Sequence, residues 1–397
     1  MADTDWANPG TPALLRMLND RKALALLIEH GPLTKNELAR RSGLSKPTAA
    51  EMVRRLEEAE LISVDGEQTG RRGPAAVTYG VRADREVGVA IDVTPSVVRS
   101  VVVDVTGREY PVHAEPLIAN GTSAGVVLQN AIDAASAAAG VLSSAITAVS
   151  VGIQAAVDPR TDELLYNDFM PGWPRQRVRS SLSEELGVDV VIENDANLAA
   201  VAERSLGGGA DVSSFALLWI GEGLGVAVDI GGRIHRGATG GAGEIGYLAA
   251  SPHMHAADSG ELVQDLVAAA VLVDLARDHG LSVDGYPELL ALLGSDLAAS
   301  PRLADLLDDL APRVGTAMLP LVAVLDPELV VLAGPTGSFA GVPLAQRVER
   351  WMADNTRWSP RVATALVDDA PVLRGARLVL LDTVRAAILD SVAALGT

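Results

Sequence analysis

Over residues 13–30 apolar side chains recur at helical spacing, with Leu14, Met17 and Leu18 followed by Leu24, Leu27 and Ile28. The polar pair Asn19-Asp20 predicts a break inside this run, and Gly31-Pro32 ends it. Thr34-Lys35-Asn36-Glu37 has the form of a capping box, so a short second helix follows to about Arg41. Gly43-Leu44-Ser45 is a tight turn, and Ser45 is the N-cap of a third helix whose first turn accommodates Pro47. In that helix Ala49, Met52, Val53 and Leu56 fall at i, i+3, i+4 and i+7 and form the buried face. Lys46, Thr48, Ala50, Glu51 and Arg54 are left on the other side. A β-prone run at 61–64, a turn at Asp65-Gly66, the segment 70–74 and the run Val77-Thr78-Tyr79 predict two strands joined by a glycine-flanked loop that carries Arg71 and Arg72.

Beyond Arg85 the pattern changes to alternating strands and helices. Strands are predicted at 87–93 and 97–105, an Ala-rich helix at 123–142, strands at 148–151 and 188–192, and a helix at 196–205. The series resumes with strands at 215–220 and 226–230, long helices within 261–325, a buried strand at 329–332 and a final helix near 382–395. An α/β arrangement on two lobes accounts for this order. The expected domains are an arm at 1–12, a helical module with a β-wing at 13–82, and an α/β domain at 86–397. The first lobe of that domain takes residues 86–196 with the final helix, and the second takes 197–380.

A helix, a capped short helix, a tight turn and a polar-faced helix make a helix-turn-helix, and the two strands make it winged. The net charge of −19 first argues against a nucleic-acid partner. Divided along the chain, it does not: residues 1–85 hold 13 Lys and Arg against 12 Asp and Glu, and the remainder holds 19 against 39. A local basic surface on an acidic body is what a small DNA-reading module requires. Ser45, Lys46, Thr48, Ala50, Glu51 and Arg54 are the candidate residues facing a major groove, and Arg71 and Arg72 those entering a minor groove. For Glu51 a solvated surface role stays open beside a contact to a cytosine amino group. The absence of cysteine excludes disulfides and thiolate metal sites and fits a cytoplasmic protein. No apolar run reaches the length of a membrane span, so no membrane partner is expected.

Four further segments resemble the ROK family of repressors and sugar kinases. They are Val191-Ile192-Glu193-Asn194-Asp195-Ala196-Asn197 with Ala200 and Glu203, then Gly221-Glu222-Gly223-Leu224-Gly225, the glycine-rich run 237–246 ending in Gly243-Glu244-Ile245-Gly246, and the segment 325–334. The resemblance implies a winged helix-turn-helix followed by a two-lobed actin-like, RNase-H-like domain with a cleft. By resemblance Asp195 matches the base of the family's kinases, and Asn194 and Glu244 match sugar-binding positions. A plain helix-capping role for Asn194-Asp195 stays open.

Several positions depart from the family's pattern. Where its kinases open with Asp-x-Gly-x-Thr, this chain reads Asp92-Val93-Thr94-Pro95-Ser96, and proline supplies no N–H to a phosphate. Glu222 puts a carboxylate where a phosphate would approach. Tyr247 stands in place of a histidine, and Met254, Ala256 and Glu261 lie near the family's zinc-binding cysteines, with His253 and His255 close by. No zinc and no other cofactor is expected. The loop 152–158 lacks the family's Pro-Gly. The expectation is therefore a sequence-specific regulator, a repressor of carbohydrate-related genes, that binds operator DNA as a homodimer or dimer-based tetramer and senses a sugar-like effector at Asn194, Asp195, Glu244 and Tyr247. Two alternatives stand beside it: a sugar kinase with an appended DNA module, and a regulator that no longer binds a sugar.

Overall fold

The computed structural model describes residues 12–68, 75–117, 122–166, 172–250, 262–295, 300–367 and 369–393. The N-terminal module consists of α1 (Pro12–His30), β1 (Leu33–Thr34), α2 (Lys35–Ser42), α3 (Lys46–Glu58), β2 (Ile62–Gln68) and β3 (Ala76–Val81), with a small sheet in the order β1-β3-β2. The capping box forms as expected: the Glu37 N–H donates to Thr34 Oγ1 at 3.2 Å, and the Thr34 N–H donates to Glu37 Oε2 at 2.9 Å. Gly43 takes the left-handed conformation (φ 78°) that ends α2 and turns the chain into α3. Ala49, Met52, Val53 and Leu56 are fully buried.

The break predicted at Asn19-Asp20 is absent, and α1 runs unbroken. Asp20 is buried and accepts from Arg55 Nη2 at 2.5 Å and Nε at 3.1 Å. The carboxylate is polar because it holds α3 against α1, a pairing that the local pattern does not reveal.

The large domain contains two sheets of identical topology. In the first, β4 (Val87–Val93), β5 (Val97–Asp104) and β6 (His113–Pro116) are followed by α4 (Ala124–Ala139), β7 (Ile146–Ile153), the small hairpin β8 (Ala156–Val157) and β9 (Leu164–Leu165), α5 (Val178–Leu186), β10 (Asp189–Asn194) and α6 (Asp195–Leu206). In the second, β11 (Ser214–Ile220), β12 (Leu224–Ile230) and β13 (Arg233–Ile234) precede α7 (Ala269–Asp278), α8 (Tyr286–Leu293), α9 (Pro301–Leu325), β14 (Leu329–Ala333), α10 (Gly334–Asn355), β15 (Arg361–Thr364) and α11 (Pro371–Ser391). The strand orders are β10-β7-β4-β5-β6 and β13-β12-β11-β14-β15. In each sheet the first strand pairs antiparallel with the second and parallel with the fourth.

The helices that follow the last strand of each sheet, α6 and α11, pack on one another. A Cβ at Gly375 would lie 1.9 Å from the Leu198 carbonyl oxygen, so only glycine permits this crossing. Helix α6 also packs against β11 and β12, and α11 lies on β4, β5 and β7, so the crossing ties the lobes together. Glu203 of α6 is buried and accepts the N–H groups of Gly208 (2.9 Å), Leu366 (2.8 Å) and Val367 (2.7 Å), anchoring the chain that leads from β15 to α11. The final helix thus starts at Pro371, well before the expected 382. At its other end Asp390 pairs with Arg21 of α1 at 2.8 Å, and side chains of α11 share a continuous apolar core with the N-terminal module.

Candidate nucleic-acid interface and effector cleft

Ser45 caps α3, its Oγ accepting from the Thr48 N–H at 3.4 Å and lying 2.8 Å from Thr48 Oγ1. Ser45, Lys46, Thr48, Glu51 and Arg54 are exposed and Ala50 is half-buried, so α3 turns these six residues away from the core. Two of them are joined: Arg54 donates from Nε and Nη2 to both Glu51 oxygens, at 3.0 and 2.5 Å, and also pairs with Glu58. Arg54 holds the Glu51 carboxyl below its ordinary range through this side-chain hydrogen bond. In the free protein the solvated reading of Glu51 therefore gains a partner, and a base contact by Glu51 or Arg54 has to replace it. Arg71 and Arg72 lie outside the described residues.

The cleft between the lobes is built where strand ends meet helix starts, the usual place for a ligand in α/β folds. Asn194 is the N-cap of α6, with its Oδ1 accepting from the Asn197 N–H at 3.2 Å. Asp195 is the first helical residue, and its Oδ1 accepts from the Ala196 N–H at 2.8 Å. Capping and exposure to the cleft coexist here, because both residues also line a cavity of about 90 Å3 together with Glu244 and Tyr247. Gly243 makes that approach possible: at φ 93°, a Cβ there would sit 2.3 Å from the Val226 carbonyl oxygen.

Residues that the sequence pattern did not single out as binding positions complete this cavity. Tyr166, just after β9, places its ring 5.3 Å from that of Tyr247, and Trp219 and Gln264 also contribute to the wall, beside Gln154 of the loop 152–158 that the resemblance already marks. Tyr166 gives no periodic signal, since it lies on an irregular loop with φ 53°. Among the described residues the lining carries Asp195, Glu222 and Glu244 and no Lys, Arg or His. Burial pushes the Asp195 carboxyl up to about 7, helped by the nearby charges of Asp92 and Glu244. Burial likewise pushes Glu244 up to about 7.

A second cavity of about 480 Å3 adjoins the first and shares Gln154, Asp195, Trp219 and Glu222 with it. Its floor is the β4–β5 turn, which uses its donors internally: the Thr94 N–H donates to Val97 O (3.0 Å) and the Val97 N–H to Thr94 Oγ1 (3.0 Å). Pro95 has no N–H, so at most that of Ser96 is left for a phosphate. The opposing β11–β12 turn is closed by the Gly221 N–H to Gly223 O bond at 3.0 Å and exposes Glu222. Asp92 is buried beside Arg99, 3.6 Å away, and burial pushes its carboxyl up to about 6 against the pull of that guanidinium. The positions His253, Met254, His255, Ala256 and Glu261 lie outside the described residues. Among the described residues no helix is long and apolar enough to cross a membrane.

The ROK family model matches residues 118–383, and a winged helix-turn-helix DNA-binding model matches residues 18–63. Among curated proteins, the chain is 24% identical over 244 residues to the xylose repressor of Bacillus subtilis (59% of this chain, 61% of the relative). It is 28% identical over 237 residues to a glucokinase of Halalkalibacterium halodurans (54% and 71%). Among solved structures, a ROK-family transcriptional regulator homologous to the E. coli MLC protein has a TM-score of 0.69 at 17% identity and covers 95% of this chain and 98% of its own. The ROK hexokinase from Thermus thermophilus has a TM-score of 0.59 at 28% identity and covers 75% and 99%. The regulator therefore spans the N-terminal module as well, whereas the hexokinase covers a smaller share of the chain. With more than half of its length matched by the family model, over a twice-repeated sheet topology, the chain belongs to the ROK family.

Proposed function

We propose that this protein is a sequence-specific DNA-binding repressor of carbohydrate-related genes, that it binds an uncharged sugar-like effector in the cleft, and that it transfers no phosphoryl group. The observation that carries this reading is the pairing of an outward-facing recognition helix with a cleft whose two hairpin turns offer almost nothing to a nucleotide phosphate. Phosphoryl transfer depends on positioning and neutralising the phosphates, and the Asp195 carboxylate alone does neither. The lining of the smaller cavity disfavours phosphorylated sugars as well, since among the described residues it holds the carboxyls of Asp195, Glu222 and Glu244 and no cation to neutralise a phosphate. The repressor and regulator relatives point to DNA as the output.

Helix α11 supplies the route between the two sites. Its first residues, Pro371 and Val372, line the larger cavity, its Gly375 crosses α6, and its Asp390 pairs with Arg21 of the winged module. An effector that changes the lobe angle moves both ends of this helix and alters the spacing of paired recognition helices. One winged module offers too little interface for tight specific binding, so the active species is a dimer or a dimer-based tetramer. The test is anisotropy of a labelled duplex from the gene's own upstream region, titrated with protein and then with sugars. Specific binding released by an uncharged sugar is expected. Sugar-dependent ADP formation abolished by Asp195→Asn would replace this reading with the kinase.

A further inference from the structure

Most of the free volume in the cleft lies on the side that the turn chemistry closes to a nucleotide: about 480 Å3 there, against about 90 Å3 around Asn194 and Glu244. The two spaces are continuous, with Asp195, Gln154, Trp219 and Glu222 common to both. The larger one is walled by Trp219, Tyr286, Phe339, Pro335 and Pro371. Its charged groups are Asp92, Asp195, Glu222 and Asp369, with Arg99 the one cation among the described lining residues. Arg99 already faces Asp92 at 3.6 Å, and Pro335 lacks an N–H just as Pro95 does. With Arg99 on Asp92 and Arg374 on Asp369 at 3.4 Å, an anion here meets the carboxyls of Asp195 and Glu222 and no further cation among the described lining residues. Flat aromatic and proline faces interspersed with carboxylates suit a different guest, an uncharged ring with hydroxyl groups that stacks on one side and donates hydrogen bonds on the other.

We infer that the effector is a glycoside rather than a free monosaccharide: one sugar unit occupies the smaller cavity against Asn194, Asp195 and Glu244, and the group attached to it, a second sugar or an aromatic aglycone, fills the larger cavity. This deepens the proposed effector role and rests on it. The position of the second unit also gives it a task. It touches Pro371 and Val372 at the start of α11, the helix that ends on the winged module, whereas neither residue lines the smaller cavity. Binding of the second unit is therefore the event that reaches the DNA-binding end.

Calorimetry on the full-length chain tests this with glucose and xylose against cellobiose, maltose, xylobiose and p-nitrophenyl β-D-glucoside. At least one glycoside should bind tenfold or more tightly than its parent monosaccharide. Ser338→Trp, which fills the larger cavity, should reduce that affinity to the monosaccharide level and leave monosaccharide binding unchanged. Phe339→Ala, at a half-exposed wall position where folding is not at stake, should weaken the glycoside by a smaller factor. Equal or tighter binding of the monosaccharide, indifference of glycoside affinity to both variants, displacement by Mg-ATP, or no binding of any glycoside would each overturn the inference. Duplex binding measured on the same samples separates the outcomes: if it is absent while glycosides bind, the repressor reading fails and the glycoside site stands.

Discussion

The two lobes share one strand order, and their first hairpins, β4–β5 and β11–β12, face each other across the cleft with different turns. The first turn is stiffened by Pro95 and stitched by the Thr94 side chain, while the second is a glycine turn that carries Glu222 at its tip. One turn withholds donors and the other presents a negative charge, so equivalent places in a repeated scaffold carry unrelated chemistry. The scaffold makes the cleft, and under the proposed function the turns set which ligands enter it.

The strongest way to break the comparison is to cut what holds the lobes together. Glu203→Ala leaves the N–H groups of Gly208, Leu366 and Val367 without their acceptor, at about 1–3 kcal/mol for each one left buried and unpaired. It should produce the largest fall in the denaturant midpoint of any single substitution in the cleft or at the crossing of α6 and α11, and Glu203→Gln should recover part of the loss. Gly375→Val puts side-chain atoms onto the Leu198 carbonyl, where the backbone cannot yield cheaply. A loss of about 1–3 kcal/mol or more is expected from such overpacking, and unchanged unfolding would show that the helices do not cross this closely.

A smaller effect follows from the cleft carboxylates. Asp92, Asp195 and Glu244 hold their protons to about pH 6–7 in the folded chain and release them near pH 4 when unfolded. The native state therefore binds more protons between those limits, and the contribution of these groups to stability falls as pH rises from about 4 to about 7. Asp195→Asn should raise the melting temperature at pH 8 and leave it nearly unchanged at pH 4. A variant equally stabilised at both pH values would remove the buried-charge explanation. The smallest effect sharpens the comparison itself: Pro95→Gly with Glu222→Gly should gain about tenfold in Mg-ATP affinity, one charge and one donor being worth about 1–2 kcal/mol. No gain in a calorimetric titration would show that the turns do not set the nucleotide affinity.

The winged module was legible from sequence because its signals are local. The Thr34–Glu37 box, the Gly43 turn and the apolar spacing of α3 each lie within a few residues. Asp20 misled because its partner Arg55 is distant in the chain, so a buried ion pair looked like a helix break. Helix α10 gave no clear pattern, since Pro335 and Pro343 fall inside it and Gly341 kinks it at φ 54°. In the cleft, Asn194, Asp195, Glu244 and Tyr247 were accessible through resemblance and do line one cavity. Gln154 falls in the loop 152–158 that the resemblance already marks, whereas Tyr166 and Trp219 come from a separate loop and strand, and only the folded arrangement brings them there.

The central claim is that the output of this chain is sequence-specific DNA binding. Its most direct test is selection of bound duplexes from a random pool by the purified full-length chain, with Lys46→Ala combined with Thr48→Ala run in parallel. Enrichment of a two-fold symmetric motif, lost in the double variant, is predicted. A pool that stays random with the wild-type chain, from a preparation that forms ADP in the presence of a sugar, would contradict the claim.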